Sequence, residues 1–107
     1  MRKISRAEIR LSALKVTELR LLQSLNTGKS PGEEASILKL LATDLEQEIS
    51  KLSREALGPK ALFTSSGIVP GWVPSLSKAY FNKRAASIYG GSNEIQKNII
   101  AKRVLRL

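Results

Sequence analysis

Two apolar stripes, each stepping by three or four residues, constrain the fold of this chain more than any other feature. The first runs through Ile4, Ala7, Leu11, Leu14, Leu21, Leu22 and Leu25, interrupted by Glu18, and is widened by Ile9, Ala13, Val16 and Leu19. The second runs through Ile37, Leu38, Leu41, Leu45, Ile49, Leu52 and Ala56. Steps of three and four stack side chains on one face of an α-helix, whereas a strand would alternate in twos. A face as broad as the first requires neighbours on more than one side.

The punctuation between the stripes sets the topology. Asn26-Thr27-Gly28 ends the first helix, with Gly28 suited to the left-handed position after a helix C-terminus. Ser30-Pro31-Gly32-Glu33 starts the second: Ser30 caps, Pro31 suits the first turn and Glu33 completes a capping box. The short link makes the pair an antiparallel hairpin. Gly58-Pro59 stops the second helix. Residues 58–74 then hold Pro59, Pro70, Pro74, Gly58, Gly67 and Gly71 around Thr64-Ser65-Ser66, a long irregular connection of the kind that is often functional. Trp72 is expected to plug one end of the bundle rather than to touch a ligand. Ser75 is expected to cap a third helix over roughly residues 76–88, with Leu76, Ala79, Tyr80, Ala86 and Ile88 as its apolar members. Gly90-Gly91 breaks it. Ser92 or Asn93 then caps a fourth helix over about 93–105, with Ile95, Ile99, Ile100 and Val104 inward. Four helices without a strand signal predict an all-α antiparallel four-helix bundle, with residues 1–107 as a single domain.

Composition narrows the chemistry. The 107 residues contain no cysteine and no histidine, which removes disulfides, thiol nucleophiles, imidazole bases and every common zinc site. Without a Glu-x-x-His pair the usual di-iron bundle is excluded as well. No run of about 18 apolar residues exists to span a membrane. Met1-Arg2-Lys3-Ile4-Ser5-Arg6 is basic, but no apolar signal core follows, so a soluble cytoplasmic chain is expected. Eighteen Lys and Arg against nine Asp and Glu give a net charge of +9, which favours phosphate-bearing partners. The basic residues are dispersed and have no aromatic interleaving for base stacking, so nucleic acid is the weakest of the candidate partners. Paired carboxylates are not evident: Glu33-Glu34 belong to a helix start, Glu46 and Glu48 diverge, and Glu48-Lys51 has the spacing of a surface pair.

Gly90-Gly91-Ser92-Asn93-Glu94 is the most informative local segment. Two glycines before a helix start let the backbone approach a ligand closely, and the helix offers free N–H groups beside the Ser92 hydroxyl. The same five residues also make a plain turn, with glycine for conformation and serine for capping. The sequence leaves both readings open.

The run Ile88-Tyr89-Gly90-Gly91-Ser92-Asn93-Glu94-Ile95-Gln96, followed by Asn98-Ile99-Ile100-Ala101-Lys102-Arg103, resembles the signature near the C-terminus of acyl-CoA dehydrogenases. The likeness is strong over 80–107 and extends weakly through the upstream hairpin. It implies the C-terminal helical domain of an enzyme that binds FAD and an acyl-CoA thioester. In that enzyme a carboxylate removes the α-proton while the β-hydride passes to the flavin, a step of fatty acid metabolism. It also implies a bundle lacking the family's first helix, and assembly as a homo-oligomer or with a partner flavoprotein subunit. Leaving ~400 Å² of apolar surface wet would forfeit about 10 kcal/mol at ~25 cal/mol per Å², so another chain is expected to cover it.

Residue by residue, the resemblance places Tyr89, Gly90 and Gly91 in the loop lining the flavin and thioester. Ser92 takes the position of a hydroxyl that contacts FAD, and Glu94 that of a neighbouring polar residue. Many members carry the catalytic Glu directly after Ile-Tyr; here that position is Gly90, which has no proton acceptor. Members with Gly there place the base on an earlier helix of the same bundle, which no segment here matches, so the resemblance implies that the chain supplies no catalytic residue and is inactive alone. Glu55-Ala56-Leu57-Gly58-Pro59 stands where the family often has Gln-x-Leu-Gly-Gly near a neighbouring subunit's FAD.

Overall fold

A computed structural model of the chain describes residues 1–28, 32, 34–63 and 67–107. The capping box proposed at Ser30, Pro31 and Glu33 lies outside the described residues, as does Thr64-Ser65-Ser66. The described residues hold four α-helices and no strand: α1 (Arg2–Asn26), α2 (Glu34–Leu57), α3 (Trp72–Asn82) and α4 (Asn93–Ile99). Short 3₁₀ segments follow α2 (Gly58–Leu62) and α3 (Lys83–Ser87), and α4 continues into a π-turn (Ile100–Val104).

α1 and α2 form the expected antiparallel hairpin. Lys3 bridges Glu55 at 2.9 Å and Arg10 pairs with Glu48, so residue numbers rise on one helix as they fall on the other. Leu45, 3% exposed, lies at the centre of this seam. Glu48 thus finds its cation across the hairpin rather than at Lys51, because α1 brings a guanidinium within reach. The Lys3 hydrogen bond and charge hold the Glu55 carboxyl below its ordinary pKa. A carboxyl depressed in the folded state adds stability at neutral pH, and that stability is lost as pH falls through the folded-state value.

The opposite face of α2 is built differently. Ser36, Thr43 and Ser50 recur every seven residues and are all buried. Thr43 Oγ1 donates to the Lys39 carbonyl at 2.6 Å and Ser50 Oγ to the Gln47 carbonyl at 2.9 Å, so their burial leaves these hydroxyls satisfied. Against this face pack α3, the 3₁₀ turn Lys83–Ser87 and α4. Gln47 Nε2 donates to the Lys83 carbonyl at 3.0 Å, Arg84 donates to the Gln47 carbonyl at 3.0 Å, and Lys83 pairs with Glu46. Arg54 and Arg84 both stack on Tyr80, with guanidinium-to-ring distances of 4.6 and 4.4 Å. Ser77 Oγ donates to the Ala61 carbonyl at 2.8 Å and ties the first 3₁₀ turn to α3.

Three sequence expectations need correction. α3 begins at Trp72, and Ser75 lies inside it with its hydroxyl 3.5 Å from the Gly71 carbonyl. Pro74 falls in the first turn, where its missing N–H would have had no partner, so the proline opens the helix instead of delaying it. Trp72 is 58% exposed and plugs nothing. In the last helix Ile95 and Val104 are exposed, and Gln96 is the buried residue.

The assembly is elongated and open. Its radius of gyration is 17.2 Å, against about 13 Å for a compact domain of this length. Its accessible surface is 7823 Å², whereas a compact monomer of this mass would expose about 5,900 Å². Apolar side chains contribute to it: Ile4, Ile9, Leu11, Val16, Leu19, Leu22 and Leu25 of α1 are all exposed. The one-sided packing predicts an uneven response to mutation. Leu45→Ala should lower unfolding free energy by about 3 kcal/mol in urea melts, whereas Ile68→Ser, at an exposed site, should change it by no more than about 0.5 kcal/mol.

Candidate functional site

The glycine turn and the start of α4 bring the sequence-predicted residues together. Gly90 and Gly91 both have positive φ, +66° and +87°. Two consecutive residues in the left-handed region strain any side chain other than glycine. Ser92 follows with extended ψ and is the N-cap: its Oγ accepts from the Ile95 N–H at 3.3 Å. The hydroxyl proton of Ser92 is not used in that bond, so it can donate to a ligand. Glu94 lies in the first turn and is exposed, favourable beside the positive end of a helix. The Tyr89 ring, 62% exposed, flanks the turn.

The two glycines differ in what surrounds them. A Cβ on Gly90 would meet nothing within 4 Å. A Cβ on Gly91 would lie 2.5 Å from Gln96 Nε2. Gln96 is buried beneath the turn, and its amide donates to the carbonyls of Gly90 at 3.4 Å and Gly91 at 3.5 Å. Both bonds are long, but a buried amide with no partner would cost about 1–3 kcal/mol. Sequence reasoning missed Gln96 because a polar residue between Ile95 and Lys97 reads as solvent-facing. Its place four residues after a serine cap, on the face below the turn, was the available signal.

Among the described residues no group of three or more His, Asp, Glu or Cys is arranged to hold a metal. No helix among them is long and apolar enough to cross a membrane.

A second feature lies away from the turn. α1, α2 and α3 surround an apolar groove of about 300 Å³ lined by Leu11, Leu14, Leu45, Ile49, Leu76 and Ala79. A neighbouring hollow of about 340 Å³ shares Leu11 and Ile49 and continues to Ile4 and Ala56. Together they form a trough along one side of the hairpin, open to solvent.

The turn geometry predicts that its two glycines will not be equally replaceable. Gly90→Ala should cost about 1–2 kcal/mol, from backbone strain alone. Gly91→Ala should cost more, because it also displaces the Gln96 amide; paired chemical melts would measure the difference.

Comparison with known proteins places the whole chain. Residues 1–105 match the family described as the acyl-CoA dehydrogenase C-terminal domain. A curated relative from Mycolicibacterium smegmatis, the acyl-CoA dehydrogenase IpdE1, is 38% identical over 79 residues, covering 74% of this chain and 19% of the relative. The Mycobacterium tuberculosis protein of the same name is 37% identical over 79 residues, with the same shares covered. The chain thus spans about one-fifth of the length of these relatives. No solved structure matches it. With an all-helical fold and a family match running from α1 through the glycine turn to the π-turn, the chain belongs to the acyl-CoA dehydrogenase family, as its C-terminal helical domain.

Proposed function

We propose that this chain contributes the helical assembly surface and one edge of the flavin site of an FAD-dependent acyl-CoA dehydrogenase, and that it is inactive alone. The observation that carries the reading is the paired positive-φ glycines at Gly90 and Gly91, followed directly by the Ser92 cap. The residues of this turn suit an edge of the cofactor. Open space around Gly90 admits a planar ring, the Ser92 hydroxyl retains a proton to donate, and the exposed Tyr89 ring offers a flat apolar wall. Gly90, Gly91 and Glu94 complete the set. When bound, FAD would supply the hydride acceptor for α,β-dehydrogenation of an acyl-CoA thioester. The chain's own residues would position and shield one side of it. None of them would take the α-proton, because Gly90 occupies the place of the usual glutamate.

Two measurements test this. The purified chain, supplied with FAD, an acyl-CoA and an artificial electron acceptor, should show no turnover; detectable oxidation would overturn the proposed inactivity. Mixed with FAD in the presence of a candidate partner subunit, it should perturb the flavin spectrum, and Ser92→Ala should weaken that perturbation. Loss of one good hydrogen bond corresponds to roughly 1 kcal/mol, or about fivefold in affinity.

A second reading is a non-catalytic helical module that oligomerises or docks on a separate flavoprotein subunit. The open trough along α1 and α2 favours it. The excess accessible surface, near 1,900 Å², exceeds the ~800 Å² that each partner buries in a standard interface. Under either reading the chain should self-associate at micromolar concentration, or associate with its partner. Leu11→Glu, in the trough wall, should abolish this while leaving the helical circular-dichroism signal intact. A compact monomer in sedimentation, unchanged by adding the partner, would count against both. An adjacent reading frame encoding a flavin-binding β-domain would favour a split enzyme over a free-standing module.

A further inference from the structure

Gln96 is the one buried side chain of α4, and both of its amide's acceptors lie in the turn just before that helix. We infer that Gln96 is a positioning residue, which sets the conformation of the Gly90-Gly91 turn from beneath. The two glycine carbonyls share one amide donor, so neither φ can relax without breaking a bond to the same group. Gly91 closes the arrangement sterically. The space a Cβ would need there is taken by Gln96 Nε2, at 2.5 Å. The side chain and the glycine are therefore matched in size, and the match is local to the turn.

The arrangement has a chemical consequence for whatever binds above the turn. A carbonyl oxygen repels an anionic or electron-rich ligand. With both carbonyls accepting from Gln96, one lone pair of each is engaged on the inner side. The Ser92 hydroxyl and the space at Gly90 lie beside them. Glutamine suits this role because its amide is a neutral donor. A glutamate of the same shape would aim a carboxylate at two carbonyl oxygens, and a leucine would fill the space without donating. The assignment of a flavin edge to this turn rests on the proposed function above; the positioning of the turn by Gln96 does not.

The test is made on the full 107-residue chain without any flavin, so its failure is separate from failure of the proposed function. Isotope-labelled protein carrying Gln96→Leu or Gln96→Glu is compared with the parent by NMR. The carbonyl carbons of Gly90 and Gly91 respond directly to the bonds their oxygens accept. Both variants should shift those two signals upfield. Signals of α1 and α2 should stay in place. Gln96→Asn, which stays polar but reaches one methylene less far, should loosen the turn in the same way and guards against misfolding of the other two. Unmoved Gly90 and Gly91 carbonyls in the folded variants would overturn the assignment. So would changes spread evenly over α1 and α2, or loss of the fold in all three, since each would make Gln96 a general packing residue.

Discussion

The structure depends on α2 having two faces of different character. One face meets α1 through Leu45 and its apolar neighbours. The other carries Ser36, Thr43 and Ser50, small enough to bring α3 and the following turn close. Every other helix packs on α2, while α1 and α3 barely meet each other. Burial on the α1 side is hydrophobic. On the other side it rests on backbone-directed hydrogen bonds from Gln47 and Arg84 and on guanidinium stacking at Tyr80. A spine with layers on two sides leaves a corner between them, and that corner is the open trough.

The elements that were legible in the sequence are those whose signal is apolar and periodic. α1 and α2 were readable end to end because Leu, Ile and Ala recur at helical steps with Gly28 and Gly58 as stops. Their hairpin followed from the short link. The second seam of α2 was not legible, because Ser36, Thr43 and Ser50 carry no hydrophobic signal and are buried for their size. The start of α3 was misplaced for a related reason: proline was read as loop punctuation, although the first turn of a helix tolerates it. In α4 the isoleucine pattern suggested an inward Ile95, but the turn below Gly91 takes up Gln96 instead.

At the candidate site the sequence named a contiguous segment without revealing how it is held. Tyr89, Gly90, Gly91, Ser92 and Glu94 are contiguous, so bringing them together required no tertiary structure. Ser92 as the cap was foreseeable from residue type and position. What no linear pattern contained was the inequality of the two glycines. Both need positive φ, but only Gly91 has a side chain pressed against the place its own would occupy.

That inequality bears on how the turn can vary. Around Gly90 the space is open, so what disfavours a side chain there is backbone strain, an energy of about 1–2 kcal/mol that a functional gain can offset. At Gly91 the strain is joined by a collision with a buried amide whose own partners are the two glycine carbonyls. A larger residue at 90 meets no neighbour, whereas one at 91 must push the Gln96 amide aside. The more open of the two glycines is Gly90, the position where the resemblance sets a glutamate in many members of the family. The Ser92 cap and the Gln96 support engage backbone atoms of the turn and helix, so neither depends on a side chain at position 90.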